Sequence, residues 1–459
     1  MKRILIVDDD VAVTNYLLVF LVQSGIFEPV VVNDSRQVDE RLAGGSFDVV
    51  LLDMDMPNVS GIDILRSMRD RGDATPVVVL TGVSDVELAV KAMKFGAFDY
   101  LTKPVDEEKL LTVLEAAIEH RELQREIGEL PASGLTRQDL THAAAFAHLP
   151  MRDPVMISLF HRAEKLAASD LGIFIWGERG SGKEALARAI HAASPRAEKP
   201  FVAVEADALE PAQFPAFFFG QERDWSGTLK ESAGVLERAD QGTLFLNSID
   251  ALTIPVQTRL RRVIQTGEYY RENSTIIRRV GVRMIVASPN DLTQPEYAEM
   301  FSQDLLYHLM INSIKIPPLR ERPDDIPVLA QHFLAEECAK TGRRIKGFSP
   351  EFLDLLMGYS FPHNAQELQS IVALAVTNEE TDTITIDSLS SYARGRLAPH
   401  AAPSDRGFVP RRLGEVVREH AEGMLDYCEG DRVRAAEELG IEQREFDRIL
   451  PPPAGGDYW

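Results

Sequence analysis

IFIWGERGSGKE, residues Ile173–Glu184, is the stretch from which the rest of the chain can be read. Ile173, Phe174, Ile175 and Trp176 form an apolar run that predicts a buried strand. Gly177, Gly180 and Gly182 then keep a loop free of side-chain bulk, with Ser181 between the last two. Lys183 and Glu184 open a run of helix formers that continues to Ala192. Strand, glycine-rich loop, lysine and helix in that order predict a phosphate cradle. Backbone N–H groups turn inward, the helix start adds partial positive charge, and the lysine reaches the terminal phosphates. The alternative is a strand-to-helix turn with chance glycines, and the correct flanking elements argue against it. The spacing therefore predicts that Gly177, Gly180, Ser181, Gly182, Lys183 and Glu184 hold the phosphates of a nucleotide.

Outward from that loop, the chain of 459 residues is long enough for two to four domains. Its hydrophobic content of 45% and charged content of 26% suit a globular protein. A formal charge of −22 argues against a surface that coats nucleic acid indiscriminately. Cys338 and Cys428 lie far apart and match no metal-ligand spacing, so both are expected as buried thiols in a reducing compartment. The chain opens directly on a strand pattern, MKRILIVDDD, and has no apolar run of membrane-spanning length. The expectation is a cytoplasmic protein with neither signal peptide nor membrane contact.

Residues 1–127 alternate strand and helix patterns. The strands are expected at Ile4–Val7, Val30–Val32, Val49–Leu52, Val77–Leu80 and Phe98–Leu101, which predicts a doubly wound five-stranded parallel α/β sheet. Function in such sheets collects at the carboxyl ends of the strands. Asp8 and Asp9 follow the first strand, Asp53 the third, Thr81 the fourth and Lys103 the fifth. Converging carboxylates repel one another and suit a hard divalent cation. With that charge screened, Asp53 can attack a phosphoryl group, Lys103 can neutralise the added oxygens and Thr81 can hydrogen-bond one of them.

VDDD at Val7–Asp10, LLDMDMPNVSG at Leu51–Gly61, LTG at Leu80–Gly82 and FDYLTKPVD at Phe98–Asp106 stand in the order of a two-component receiver domain, which residues 1–120 resemble closely. The resemblance implies that Asp53 accepts phosphate from a sensor histidine kinase. It also implies that Asp8, Asp9, Asp53 and the backbone carbonyl of Asp55 surround Mg²⁺, and that Thr81 and Tyr100 form a switch pair.

Residues 153–397 add strands expected at Phe201–Val204, Thr243–Leu246 and Val282–Ala287, a loop into a helix at Ile316–Ala330, and YSFPHNAQEL at Tyr359–Leu368. With the cradle, these resemble the AAA+ domain of NtrC-type activators, an α/β P-loop core with a helical lid. Those proteins work with the sigma factor sigma-54. The departures are specific. Where the family has Asp-Glu after GTLFL, this chain has Asn247 and Ser248, a weak metal ligand and no base near neutral pH. Asp250 lies two residues further on. Ser302, His308 and Gln366 stand where the family places arginines, and Pro289 replaces a threonine while Asn290 is kept. An arginine finger contributes about 10³–10⁵ in rate, so very slow or absent ATP hydrolysis is expected. The loop with which relatives touch sigma-54 is altered in Phe219–Gly234, around Asp224, Trp225, Ser226 and Gly227, and sigma-54 contact is in doubt. Trp225 is either a new contact or packed within a shortened loop.

Residues 128–152 read as a loose connection after a charged helix, Glu107–Ile127, which either pairs with its copy in a dimer or ends the first domain. Residues 398–410 read as a second linker. In 411–459, RVRAAEELGIEQREFDRIL (Arg432–Leu450) reads as helix, glycine turn and helix, an all-α helix-turn-helix resembling the Fis-type domain of the same activators. Gln443, Arg444 and Arg448 are the candidates for DNA contact, although Glu442, Glu445 and Asp447 leave the second helix net acidic. A dimerising bundle is the competing reading.

Three functions are thus expected to compete. The first is a phosphorylation-switched, oligomeric regulator with a degenerate ATPase that acts through DNA. The second is a working ATP-driven activator, and the third a scaffold that has left DNA.

Overall fold

A computed structural model describes residues 1–82, 86–131, 134–222, 231–389, Ala421, Met424, Leu425, Cys428, 432–438 and 443–450. The chain forms two compact units, residues 1–397 and 398–459.

The first unit begins with β1 (Lys2–Val7), α1 (Val11–Gln23), β2 (Phe27–Val32), α2 (Val38–Gly44), β3 (Val49–Asp53), α3 (Gly61–Asp70), β4 (Val77–Thr81), α4 (Val86–Lys94) and β5 (Asp99–Thr102). The five strands are parallel in the order β2-β1-β3-β4-β5, so the sense in which strands are added across the sheet switches between β1 and β3. Both faces are covered. Leu5, Val7, Val50, Leu52, Val77 and Val79 pack in one core layer, and Ile4, Ile6, Val49, Leu51, Val78 and Leu80 in the other. Alternate residues point to opposite faces of a strand, so sheets buried on both sides need the unbroken apolar runs seen here. The doubly wound expectation is met, with β1 to β4 one to three residues longer than their apolar runs and β5 the same length, shifted by one residue.

Helix α5 (Glu107–Gly128) is continuous for 22 residues and starts on an Asp106 cap that accepts from the Lys109 N–H. Its first half buries Leu110, Val113, Leu114, Ala117 and Ile118 in the receiver core, while Leu123 belongs to the core of the next domain. The stretch after it is not loose. Leu140, Phe146 and Leu149 are buried in that second core, and Arg137 donates to the Phe146 carbonyl at 2.8 Å. The Ala- and Ser-rich composition hid three apolar anchors.

The central domain contains α6 (Pro154–Ala167), β6 (Ile173–Trp176), α7 (Lys183–Ala192), β7 (Phe201–Glu205), α8 (Phe214–Phe219), α9 (Val235–Arg238), β8 (Thr243–Asn247), α10 (Ile254–Thr266), β9 (Glu268–Tyr269), β10 (Arg278–Arg279), β11 (Arg283–Ser288), α11 (Gln303–Met310) and β12 (Ser313–Lys315). Its sheet is parallel in the order β12-β6-β11-β8-β7, which places the strand leading into the glycine loop beside β11. The lid follows as α12 (Asp325–Thr341), β13 (Gly347–Phe348), α13 (Pro350–Met357), α14 (Asn364–Asn378) and β14 (Thr383–Ile384).

The lid turn between α14 and β14 is fixed by Glu379. Its carboxylate accepts from the Thr381 N–H at 2.9 Å, the Thr381 hydroxyl at 2.8 Å, the Thr385 N–H at 3.2 Å and the Ser388 hydroxyl.

In the second unit, helices span Arg432–Glu438 and Gln443–Ile449, with Ala421, Cys428, Ala436, Phe446 and Leu450 in a small core. Among the described residues, no helix is long and apolar enough to cross a membrane. Cys428 is buried as expected, whereas Cys338 is half-buried; both are free thiols.

Candidate functional site

At the carboxyl edge of the receiver sheet, the ends of β1, β3 and β5 bring Asp8, Asp9, Asp53 and Lys103 together. One carboxylate oxygen from each of the three aspartates lies within 4.8 Å of the others. Lys103 Nζ stands 2.6 Å from Asp8 Oδ2 and 2.7 Å from Asp53 Oδ1. Asp8 is fully buried and Asp53 nearly so, while Asp9 is exposed. Burial pushes the Asp53 carboxyl up; the Lys103 hydrogen bond opposes this, and Asp8 adds repulsion. Burial also works against the Lys103 ammonium, but the Asp53 and Asp8 hydrogen bonds outweigh it and hold Lys103 above the usual lysine range.

Asp10 serves differently. It caps α1, accepting from the Ala12 and Val13 N–H groups, and so fixes the loop that carries Asp8 and Asp9. Gly61 is required because a Cβ there would stand 2.3 Å from the Asp53 carbonyl oxygen. Thr81 is buried at the end of β4 beside this cluster, and Asp55 lies exposed just past β3. The donor set fits a magnesium ion: carboxylate oxygens on a rigid sheet edge, with room for water on the exposed Asp9 side.

The second site is a cleft of about 730 Å³ around the glycine loop. Gly180 has φ of +73°, and a Cβ on it would meet the His363 carbonyl at 2.1 Å. Gly182 has φ of +103° and opens α7 with no atom within 4 Å of the place a Cβ would fill. Lys183 is folded onto the loop, with Nζ donating to the carbonyls of Gly177 at 2.6 Å and Glu178 at 3.0 Å. Burial lowers its pKa to about 8, against the attraction of Asp250 and then Glu205. The Ser181 hydroxyl is buried with no hydrogen-bond partner among the described residues. An orphaned hydroxyl, a buried lysine and a side-chain-free cradle fit a phosphate chain.

The lid clasps this loop. The Ala365 N–H donates to the Gly180 carbonyl at 3.0 Å, and Asn364 Nδ2 donates to the Arg179 carbonyl at 2.9 Å. Arg320 holds Glu178 by two hydrogen bonds of 2.8 and 2.6 Å. Glu184 lines the cleft and pairs with Arg188 one helical turn on. Asn247, Ser248, Pro289 and Gln366 line it too. Asp250 sits in the turn after β8, its two oxygens taken by the Ser288 hydroxyl at 3.0 Å and Asn290 Nδ2 at 2.9 Å. The hydroxyl of Ser288, at the end of β11, was not singled out in the sequence.

Ser302 and His308 lie outside the cleft lining. Ser302 caps α11, accepting from the Leu305 N–H. His308 faces the receiver, with Nε2 3.5 Å from Asp99 Oδ1 and 2.7 Å from Gln265 Nε2. Gln265 Nε2 also donates to Asp99 Oδ1 at 3.2 Å. Burial pushes the Asp99 carboxyl up, and His308 opposes that shift. Beside this group, Arg261 Nη1 stands 2.7 Å from Asp304 Oδ2 and donates to the Tyr100 hydroxyl at 3.0 Å. Tyr307 of α11 packs against the receiver core cluster. Tyr100 is therefore anchored between α10 and α11.

Gln443 and Arg448 are exposed on the Gln443–Ile449 helix, which also carries Arg444. Asp224, Trp225, Ser226 and Gly227 lie outside the described residues.

An acid–lysine pocket on a receiver sheet, joined by one helix to a P-loop core with a clasping lid, defines a two-domain signalling class. The comparisons agree. The Response regulator receiver domain matches residues 4–115, the Sigma-54 interaction domain residues 149–315 and the AAA+ ATPase lid domain residues 320–405. The chain is 36% identical over 442 residues to the transcriptional regulatory protein ZraR of Escherichia coli K12, covering 96% of this chain and 97% of that one. It is 33% identical over 448 residues to the regulatory protein AtoC of the same organism, covering 96% of each. The crystal structure of NtrX from Brucella abortus superposes with a TM-score of 0.52 at 26% identity over 98% of both chains; its ATP complex gives 0.51. The chain belongs to the NtrC-type response regulators of two-component systems, which carry a sigma-54 interaction domain of AAA+ fold.

Proposed function

We propose that phosphorylation of Asp53 by a sensor histidine kinase switches a central domain that binds ATP or ADP but hydrolyses it very slowly or not at all, and that output runs through DNA contact by the C-terminal helices of an oligomer. The observation that carries the switch is Lys103 bridging Asp8 and Asp53 beside a group that suits Mg²⁺. A phosphoryl group adds nearly two negative charges there. Thr81, at the end of the strand beside β3, would hydrogen-bond it, and Tyr100 would move as the threonine does. Tyr100 is held by Arg261 of the central domain, so its movement bears directly on α10 and α11.

The turnover reading rests on side chains around Lys183. Asn247 and Ser248 offer neither a strong metal ligand nor a base where the strand ends. The helix in which relatives present arginines holds Ser302 and His308, and His308 is committed to Asp99. Binding survives these losses because the cradle acts through backbone and Lys183, and NtrX, a structural neighbour, has been crystallised with ADP and with ATP. Gln443, Arg444 and Arg448 are the proposed DNA contacts. The working-ATPase reading draws on Asp250 and Glu205, the acids nearest in effect to Lys183.

Purified full-length chain, with and without acetyl phosphate and Mg²⁺, separates the readings. A mass increase of one phosphoryl group, absent in Asp53→Asn, with steady-state ATP turnover at background in both states, is the expected result. Turnover at the rate of an ordinary AAA+ motor would overturn the second half, and label on Asp53→Asn the first.

A further inference from the structure

Glu205 ends β7, and its register partner is Asn247, the residue that ends β8. Asn247 Nδ2 donates to both oxygens of the Glu205 carboxylate, at 3.1 and 2.9 Å. That contact fixes the amide, since turning it over would set two oxygens face to face. Asn247 Oδ1 is thereby left buried without a hydrogen-bond partner among the described residues. Both residues line the cleft that holds Lys183 and the orphaned Ser181 hydroxyl. The other acid that strongly attracts Lys183, Asp250, has its oxygens spent on Ser288 and Asn290. Glu205 is exposed to the cleft, and its described hydrogen bonds come from the one amide.

We infer that Glu205, with Asn247 Oδ1 beside it, is the oxygen seat for the divalent cation that accompanies the nucleotide. The negative charge missing from the end of β8 is supplied from the neighbouring strand. A glutamate is one methylene longer than an aspartate, which suits a carboxylate starting one strand further out. Mg²⁺ is commonly held by one or two carboxylates together with substrate phosphates and water, so a single carboxylate and a neutral oxygen make a sufficient protein share. Burial and nearby Asp207 and Glu184 push the Glu205 carboxyl up, against the pull of Asn247 and Lys183. A cation relieves that repulsion. This inference deepens the reading of the cleft as a nucleotide site and rests on it. It restores a metal ligand but neither a water activator nor arginines, so it leaves slow turnover in place.

The test is calorimetric titration of the full-length chain with ADP and with ATP, in excess Mg²⁺ and in EDTA. Wild type is expected to bind about tenfold or more tightly with Mg²⁺. Glu205→Gln should keep the EDTA affinity and lose most of the Mg²⁺ gain, and Glu205→Ala gives the same readout if the first variant folds poorly. Electron paramagnetic resonance with Mn²⁺ provides a second measure, read as the depletion that ADP adds beyond an ADP–Mn²⁺ blank, because the receiver pocket takes up metal without nucleotide: adding ADP should deplete the free-ion signal further with wild type and not with Glu205→Gln. An undiminished Mg²⁺ gain in both variants overturns the inference. Equal wild-type affinity with and without metal overturns it while sparing the nucleotide reading. No binding in either condition overturns both.

Discussion

Lys183 shows how a single buried ammonium ties nucleotide affinity to pH. Burial brings its pKa to about 8, and in this structure its proton donors rest on two loop carbonyls. Phosphates bind the charged form. The sign follows: below pH 8 the ammonium is present and affinity is full, and above it each binding event must first recover a proton. ADP affinity in EDTA is expected to fall roughly tenfold per unit beyond pH 8, flattening below about 7. Calorimetry between pH 6.5 and 9.5 checks this, and a flat profile would mean that Lys183 is not the phosphate contact. Lys183→Ala should weaken binding at every pH and flatten the same curve.

Among the elements, the glycine loop and the lid behave as one piece, because α14 begins against the backbone of Gly180. A methyl group on Gly180 would meet the His363 carbonyl at 2.1 Å, and the backbone there is left-handed. Gly180→Ala is therefore expected to cost about 1–3 kcal/mol, read as a lower thermal midpoint, and to weaken nucleotide binding by shifting the lid. Glu379 ties the far end of the same helix. Despite burial, hydrogen bonds from Ser388 and Thr381 hold its carboxyl down to about 2. A depressed carboxyl contributes stability that is present above its unfolded pKa and lost as pH falls through the folded one. Thermal melts from pH 5 to 2 should show an acid loss that Glu379→Gln blunts. The five receiver strands and β6, β7, β8 and β11 were legible as apolar runs, and the receiver pocket as polar residues at strand ends, because burial on two faces leaves little freedom in composition; the edge strand β12, with Ile314 alone buried, carries no such run. Glu205 was harder to see. It ends a strand distant in sequence from Asn247 and Ser248, and only the register between β7 and β8 sets the acid of FVAVE beside the amide. Phe146 and Leu149 were missed because isolated apolar residues in an alanine-rich stretch carry no period.

At the scale of the whole first unit, no local pattern in the sequence announces the docking of the receiver on α10 and α11. It rests on separated residues: Asp99 and Tyr100 on one side, Arg261, Gln265, Asp304 and His308 on the other. Arg261→Ala removes the charged partner that Tyr100 and Asp304 share. Removing one side of a half-buried, charge-assisted contact costs about 1.5–3 kcal/mol. Hydrogen exchange in α10 and α11 should accelerate in this variant without change in the β6–β8 core, and wild type should show the same pattern after phosphorylation; protection unchanged in both would disconnect the two domains. Helix α5 sets the geometry of any such release. It lodges one end in each core without a break, and each residue of a helix advances the axis by 1.5 Å and turns it by about 100°. The receiver is thus keyed to the central domain in phase as well as in distance. One alanine inserted between Ile118 and Leu123 would leave both domains folded but bring Asp99 and Tyr100 around to the wrong side of the shaft.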